Sequence, residues 1–507
     1  MVFSFRGHSF TWVEFIAFFC GMAIMVVEII GARMFVPYYG NTFFVWTSII
    51  GVVMVSMSLG YYKGGVEADR EGSREGLANI VFMAALYTSL LPLTVMLAGM
   101  FAGLGQELGT LVGSVVSLAL PSYYLAKVSP YCIRLTSRSV DSAGRTSGFI
   151  YSISTVGSIF GTFISGFVLM PYFKIKTIVL MLGVLLLAIS LFLNFKKKII
   201  RLLDVVMIAG PIVIQIIWLQ PEYIMPNSTV LFEGDTVYNS ITVSEFKFNE
   251  SMGNVRVLQV GNLIQGGIFA KYNKSFYDYV SLTQIPWLFK PDIKNVLFLG
   301  NGAGIGIDYL HAIYPEVDID VVDIDPKVFE VATTYFSEKE GDKVHFFADD
   351  ARLFLKKKDK KYDLIIMDVY SSTRQIPFHL TTYEMIREVD NHLTNDGVYV
   401  QNVISSLEGK NSMIIKSIGK TLEPTFSRNY AIPANPNNTL GDTILIISLK
   451  GDNAIGDVEK FLEKVPEPEK ESVNKSIRSY VLNNFTVNTS EGIFLTDEYS
   501  PTEIMSL

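Results

Sequence analysis

The sequence predicts a polytopic α-helical membrane domain over residues 1–220, followed by a doubly wound α/β domain with a small antiparallel β lead subdomain. Half of the 507 residues are hydrophobic and the mean hydropathy is +0.34, which is too apolar for an ordinary soluble protein. Long apolar runs fill the first part of the chain. From Asn295 onward, short apolar runs alternate with helical patterns, as in parallel sheets with crossover helices.

The first part contains seven apolar runs, each long enough to cross about 30 Å of hydrocarbon as a helix. They lie at about 11–36, 43–62, 78–98, 107–126, 148–171, 176–195 and 199–219. The first run carries Glu28 and Arg33 and is followed at once by further spans, so it is not a cleavable signal peptide. We expect a multi-pass protein of the plasma membrane. Small residues in "STVGSIFGTFISG", with Gly157 and Gly161 four apart, predict close helix packing.

Charge also divides the chain near Gln220. Up to that residue there are 15 basic and 9 acidic residues, against 27 basic and 40 acidic residues after it. The acidic second part argues against a nucleic-acid partner, because phosphate binding needs clustered Lys and Arg; it suits a cationic ligand. Cys20 and Cys132 are the only cysteines and are far apart, so neither a disulfide nor a metal site is predicted.

The segment 221–290 predicts the lead subdomain and a linker helix. Its stretch "NSITVSEFKFNESMGNVRVLQVGNLIQGGIF" alternates like strands and is broken by turn signals. Tyr277 and Tyr279 then open a helix, where their rings fit either a pocket wall or the core. The α/β domain is predicted over 291–507.

Within that domain, candidate functional residues follow successive strands. Glycines in "LFLGNGAGIG" allow a sharp turn and close approach of a ligand to the backbone. Asp323 ends the second strand, where a carboxylate can accept hydrogen bonds from ribose hydroxyls. Asp350 follows the third strand, within reach of an adenine amino group, and Asp368 follows the fourth. Together they favour a nucleoside ligand, and an incidental turn with surface acids is the alternative.

The ordered set "GNLIQGG", "LFLGNGAGIG", "VVDIDP", "ADDARLFL", "YDLIIMDVYSS" and "PFHLTTYEM" resembles the spermidine synthase family of aminopropyltransferases, specifically its membrane-fused members. The resemblance covers about 238–404 and implies a Rossmann-like fold of the class I methyltransferase type. It implies decarboxylated S-adenosylmethionine as co-substrate and a small amine such as putrescine as acceptor, giving a spermidine-type product and methylthioadenosine.

The resemblance also implies roles for individual residues. The cofactor-binding residues it implies are Gln265, Gly300, Gly302, Gly304, Asp323, Asp350 and Ala351. The catalytic residues it implies are Asp368, which takes the proton from the attacking amine, and Tyr279, which lines the amine tunnel. The amine-binding positions are Tyr277, Ser371 and Asp497.

Departures from the family pattern concern the acids around the amine. Ala303 stands where the glycine loop of the family has an aspartate, and Ser371 stands where an acid is expected three residues after Asp368. A diamine needs a carboxylate near each desolvated ammonium. Asp497 in "LTDEYSP" is a candidate replacement, and a plain polar tail is the alternative.

Three functions therefore stand open: an aminopropyltransferase, an S-adenosylmethionine-dependent transferase acting on a membrane-associated acceptor, and a non-catalytic polyamine-sensing or transport module. With seven spans, the positive-inside rule puts the α/β domain outside the cell. The supply of an intracellular nucleotide instead favours the cytoplasm, and we expect the domain on the cytoplasmic side. The lipid bilayer is an expected partner. Soluble relatives commonly oligomerise, so a homo-oligomer is a further expectation.

Overall fold

The computed structural model describes residues 3–5, 8–39, 42–137, 142–194, 227–236, 238–261, 263–370, 375–435 and 442–505. Contacts divide the chain into two compact units. The first comprises Met1–Glu222 and Asp235–Val237, and the second comprises Tyr223–Gly234 and Tyr238–Leu507.

The first unit is helical and begins with a short hairpin, β1 (Phe3–Phe5) and β2 (His8–Phe10). Its helices are α1 (Trp12–Tyr39), α2 (Phe43–Glu71), α3 (Arg74–Ser89), α4 (Leu91–Gly99), α5 (Gln106–Thr136), α6 (Ala143–Ile164), α7 (Met170–Tyr172) and α8 (Ile175–Asn194). In this described part, five helices are long and apolar enough to cross a membrane, or six if the bent pair Arg74–Ser89 and Leu91–Leu104 counts as one span.

Six of the seven predicted runs fall on these helices. The third run, 78–98, falls on the pair bent by 47°. Pro92 lies in the first turn of α4, where a proline without an N–H starts a new helix rather than continuing the old one. The seventh run, 199–219, lies outside the described residues.

Helices α1 and α6 pack closely through glycine. A Cβ atom added to Gly157 would lie 2.1 Å from the carbonyl oxygen of Phe18, and one added to Gly161 would lie 2.4 Å from that of Met22. These separations are too short for any side chain. The close helix packing predicted from the glycine spacing is confirmed.

The second unit begins with a five-stranded sheet in the order β3-β4-β5-β6-β7. Its strands are β3 (Ser228–Asp235), β4 (Ser240–Asn249), β5 (Gly253–Val260), β6 (Leu263–Phe269) and β7 (Lys274–Ser275). The pairs from β4 to β7 are antiparallel, as predicted. Two short helices follow, α9 (Tyr279–Leu282) and α10 (Pro286–Phe289). Tyr279 opens α9, whereas Tyr277 precedes it.

The larger sheet carries the candidate site. Its strands are β8 (Asn295–Leu299), β9 (Asp318–Asp323), β10 (Val344–Ala348), β11 (Tyr362–Met367), β12 (Leu393–Ser405), β13 (Arg428–Pro433) and β14 (Asp442–Leu449). Their order is β10-β9-β8-β11-β12-β14-β13. The strand order reverses between β8 and β11, and open α/β sheets bind ligands at such a reversal.

The parallel sheet predicted from the sequence holds for β8 to β12. Strand β14 is antiparallel to both β12 and β13, so the sheet is mixed. The chain from Pro433 to Asp442 is too short for the crossover of about a dozen residues that a parallel return needs.

The helices around this sheet are α11 (Ile305–Ile313), α12 (Pro326–Tyr335), α13 (Ala351–Lys357), α14 (Tyr383–His392), α15 (Met413–Leu422), α16 (Val458–Leu462), α17 (Glu467–Ser476) and α18 (Thr502–Met505). Every residue of β11 is buried, and separate apolar clusters cover the sheet. The rigid strands therefore fix the positions of the loops at their carboxyl ends.

Candidate active site

The loop after β8 turns so sharply that it needs glycine. Gly300, Gly302 and Gly304 have φ angles of +98°, +53° and +72°, which side chains other than glycine rarely adopt. A Cβ atom on Gly300 would lie 2.1 Å from the carbonyl oxygen of Asp368. The loop therefore passes directly against the end of β11.

Asp323 ends β9 beside this loop. Its Oδ2 accepts a hydrogen bond of 2.9 Å from the backbone N–H of Asn301, and its Oδ1 accepts one of 2.9 Å from the N–H of Asp325. Burial raises the pKa of this carboxyl to about 6. A carboxylate has about four acceptor positions, so acceptor capacity remains on each oxygen for a ligand hydroxyl.

Asp350 caps the N-terminus of α13. Its Oδ1 accepts hydrogen bonds from the N–H groups of Arg352 and Leu353, at 3.0 and 2.9 Å. Its Oδ2 lies 3.5 Å from Nε2 of His379. This leaves one carboxylate oxygen of Asp350 beside an imidazole rather than committed to the helix cap.

One cavity of about 150 Å³ brings most of the predicted cofactor residues together. Its lining includes Gln265, Gly300, Gly302, Asp323, Asp350, Ala351 and Asp368. Gly304 is not in that lining; a Cβ atom there would lie 2.4 Å from Cδ of Glu338, so this glycine accommodates a neighbouring side chain.

Asp368 follows β11 and is only partly exposed. Its Oδ2 accepts a hydrogen bond of 3.3 Å from the hydroxyl of Tyr279, and its Oδ1 accepts one of 2.8 Å from Nδ2 of Asn402. Burial raises the pKa of Asp368, and the two hydrogen bonds act in the opposite direction. The residue lines the cofactor cavity and a second, narrower cavity that also contains Tyr277 and Tyr279.

Asn402 is a site residue that the sequence analysis missed. It lies within β12, is 5 % exposed, and lines the narrower cavity. Its Oδ1 is buried without a hydrogen-bond partner among the described residues, as is Nε2 of Gln265. An amide inside the apolar strand "GVYVQNV" is the signal that would have found it, because β12 pairs with β11 and lies beside Asp368.

Glu338 is a second residue that was missed. It is fully buried, and its Oε2 accepts a hydrogen bond of 3.0 Å from Nδ2 of Asn301 in the glycine loop. Burial raises its pKa to about 8. Ala303, at the position of the expected loop aspartate, is 3 % exposed. The carboxyl group that lies close to the loop is that of Glu338, which comes from another segment.

The structure corrects the prediction that Asp497 binds the amine. The carboxylate of Asp497 accepts hydrogen bonds from both terminal nitrogens of Arg352, at 2.8 and 2.6 Å, and from the hydroxyl of Thr382 at 2.8 Å. The guanidinium neutralises the charge that the amine would need, and neither site cavity includes Asp497 in its lining. Asp497 instead ties the C-terminal segment to α13 and α14. Ser371 lies outside the described residues.

Among the described residues, no group of three or more His, Cys, Asp or Glu side chains is arranged to hold a metal ion. The polar groups of the site are instead carboxylates, amides and phenols. They suit a polar organic ligand with hydroxyl and cationic groups.

Several known proteins are similar to this chain. The family model described as the spermine/spermidine synthase domain matches residues 276–454. The polyamine aminopropyltransferase of Lachnospira eligens is 30% identical over 224 residues, which cover 41% of this chain and 72% of that protein. Polyamine aminopropyltransferase 2 of Aquifex aeolicus is 24% identical over 405 residues, which cover 77% of this chain and 78% of that protein.

One solved structure and a further sequence relative are also similar to this chain. A probable spermidine synthase from Corynebacterium glutamicum is 16% identical with a TM-score of 0.40, covering 50% of this chain and 95% of its own. Among the sequence relatives, the polyamine aminopropyltransferase of Clostridioides difficile is 31% identical over 204 residues, covering 39% of this chain and 68% of that protein. The chain belongs to the spermidine synthase family and is a transferase of the polyamine aminopropyltransferase type.

Proposed function

We propose that this protein transfers the aminopropyl group of decarboxylated S-adenosylmethionine to a primary amine, putrescine or a related amine, and releases methylthioadenosine. The observation that carries the proposal is the position of Asp368. Its carboxylate lines both site cavities and accepts hydrogen bonds from Tyr279 and Asn402.

The reaction needs a base at that point. A primary amine is protonated near neutral pH and cannot attack until a proton is removed. Asp368 takes this proton and later passes it to solvent. The amine nitrogen then forms a bond to the propyl carbon next to the sulfonium, the carbon–sulfur bond breaks, and its electron pair stays on sulfur as a neutral thioether. Burial makes Asp368 a stronger base than an exposed aspartate.

The nucleoside part fits the wider cavity. Asp323 offers its carboxylate to the ribose hydroxyls, and Asp350 with Ala351 lies at the adenine position. Gln265 Nε2 is a buried polar atom without a partner among the described residues, and a polar ligand group would satisfy it. Gly300 and Gly302 let the ligand approach the backbone.

The experiment is a turnover assay. The purified full chain in detergent is incubated with putrescine and decarboxylated S-adenosylmethionine, and methylthioadenosine and spermidine are followed by mass spectrometry. Asp368→Asn is expected to lower kcat at least about 100-fold, because general bases contribute roughly 10²–10⁴ in rate. Asp359→Asn, at an exposed carboxyl outside both cavities, is the control and keeps activity. Absence of product from a folded chain that binds the nucleoside would contradict the proposal.

Ala303 favours one alternative function. Without an acid in the loop, the site has less charge repulsion against the carboxylate of intact S-adenosylmethionine, and an S-adenosylmethionine-dependent transfer to a membrane-associated acceptor becomes feasible. Calorimetric binding of both cofactors separates the two functions. Tighter binding of the intact cofactor, with release of S-adenosylhomocysteine, would favour the alternative.

We also propose that the helical unit spans the plasma membrane and that the α/β domain faces the cytoplasm, where a nucleotide co-substrate is available. The support is the set of five long apolar helices. A Lys356→Cys variant tests the side, because Lys356 is exposed whereas the native Cys20 and Cys132 are buried. Labelling by an impermeant maleimide only after membrane disruption is expected; labelling of intact cells would place the domain outside.

A further inference from the structure

A third cavity, of about 510 Å³, adjoins the cavity that contains Asp368. Its walls come from β6 and β7, the start of α11, and α17. Four residues line both cavities: Ser275, Tyr277, Val280 and Ile305. We call the larger space the acidic chamber. The two cavities therefore lie next to each other along these four residues.

The chamber carries more negative than positive charge. Its lining contains the carboxyl groups of Asp278, Asp308 and Glu469 and one ammonium group, that of Lys274. Lys274 pairs with Oε1 of Glu469 at 2.7 Å, while the buried Oε2 of Glu469 has no hydrogen-bond partner among the described residues. The charge of Glu469 is thus paired, but its second carboxylate oxygen lacks a hydrogen-bond donor, which is unfavourable unless a ligand supplies one.

Asp308 is the second carboxyl in need of a partner. It lies in the first turn of α11 and is partly buried, and burial raises its pKa to about 6. No hydrogen bond or ion pair joins its carboxylate to another residue in the described part of the chain, although the positive charge of Lys339 favours its ionised form. A cation bound here would offset the cost of the buried charge.

The remaining wall suits an alkyl ammonium chain. Tyr277 and Tyr309 line the chamber, as does Tyr272, whose ring centroid already lies 4.9 Å from the ammonium nitrogen of Lys271. Aromatic faces attract ammonium groups and pack against methylene groups. Carboxylates combined with phenol rings therefore match a flexible chain in which cationic nitrogens alternate with short methylene segments.

We propose that the acidic chamber binds the far end of the amine acceptor and selects linear polyamines with three or more nitrogens over diamines. Asp308 and Glu469 pair with the nitrogens distant from the one that attacks. This inference rests on the proposed aminopropyl transfer. Glu469 in α17 lies beyond residues 276–454, the range that matches the family model.

The test compares spermidine with putrescine as acceptors. The wild-type chain is expected to show at least a tenfold higher kcat/KM for spermidine. Asp308→Asn and Glu469→Gln keep the shape of the side chain but remove its charge. Each is expected to raise the KM for spermidine at least fivefold. The kcat and the KM for putrescine are expected to change less than twofold. Asp359→Asn again serves as the matched carboxyl control. Equal effects on both acceptors, or no preference for spermidine, would overturn the inference.

A binding measurement separates failure of this inference from failure of the proposed function. Calorimetric titration of spermidine into the full chain with methylthioadenosine bound needs no turnover. Asp308→Asn is expected to weaken spermidine binding at least fivefold, and unchanged affinity would overturn the chamber assignment. Turnover with putrescine but weak spermidine binding would support the aminopropyl transfer and contradict the chamber assignment. Tight spermidine binding without any turnover would support the chamber assignment and contradict the aminopropyl transfer.

Discussion

The nucleoside end and the amine end of the site are held in different ways. Asp323 and Asp350 accept hydrogen bonds from backbone N–H groups, most of them within three residues along the chain. Asp368 is held by side chains from elsewhere: Tyr279, 89 residues before it, and Asn402, 34 residues after it. The nucleoside end therefore depends on local backbone geometry, and the amine end depends on tertiary packing.

A single glycine connects the two ends and should affect both. In Gly300→Ala, the new Cβ atom would lie 2.1 Å from the carbonyl oxygen of Asp368 on a backbone with φ of +98°. We expect loss of methylthioadenosine binding and of turnover together, measured by calorimetry and by product release. Gly341→Ala is the control, because a Cβ atom there would have no neighbouring atom within 4 Å and the residue lines neither site cavity. A Gly300→Ala variant that loses only one of the two activities would argue against a shared loop.

Asp323→Ala should affect the nucleoside end alone. Hydrogen bonds to a charged group contribute about 1.5–3 kcal/mol, so the KM for the cofactor is expected to rise roughly 10- to 100-fold. The kcat at saturating cofactor should fall much less, because Asp368 and its partners are untouched. Steady-state kinetics with varied cofactor measures both quantities. A fall in kcat as large as the rise in KM would contradict the division of the site into two ends.

Tyr279→Phe should affect the amine end through pH. The Tyr279 hydroxyl bond lowers the pKa of Asp368, so its removal raises that pKa further above the usual aspartate range. The base is then protonated at higher pH, and the acid limb of the kcat profile moves to higher pH while the alkaline plateau changes little. Tyr383→Phe is the control, because Tyr383 lines neither site cavity. Its kcat profile against pH should match that of the wild type. An unshifted limb in Tyr279→Phe would show that Asp368 is not the titrating base.

Glu338→Gln should have the smallest effect on activity, because it acts on stability. Burial raises the pKa of Glu338 from 4.5 to about 8, so between these values the folded chain holds a proton that the unfolded chain has lost. Stability therefore falls as pH rises through this window, by at most about 1.4 kcal/mol per pH unit. Glutamine removes this dependence and preserves an acceptor for Asn301. The melting temperature of the variant relative to wild type should rise from pH 5 to pH 8; parallel curves would contradict the protonated state of Glu338.

The same division explains what the sequence could predict. The strands before Asp323, Asp350 and Asp368 are short apolar runs, and in parallel strands their ends meet at one edge of the sheet. The glycine loop is likewise visible in sequence, because its φ angles exclude other residues. These features are local, and the structure brings the corresponding residues to one cavity.

The features that escaped prediction depend on contacts between distant side chains. Asn402 sits inside a strand whose neighbour could not be assigned from periodicity. Glu338 follows Ser337, a residue with φ of +69°, in a loop without a strand-end signal. Asp497 was a candidate replacement for the acids missing at Ala303 and Ser371, but its carboxylate accepts hydrogen bonds from Arg352. The bend between α3 and α4 escaped because hydropathy alone treats Pro92 as part of one apolar run.

The central claim is that a bond forms between the aminopropyl carbon and the amine nitrogen. We would supply decarboxylated S-adenosylmethionine carrying ¹³C in its aminopropyl group together with ¹⁵N-labelled amine, and analyse the products by mass spectrometry. The account predicts one product that contains both labels, with unlabelled methylthioadenosine released in equal amount. Formation of a methylated acceptor instead, or cofactor that stays intact while the chain binds it, would contradict the account.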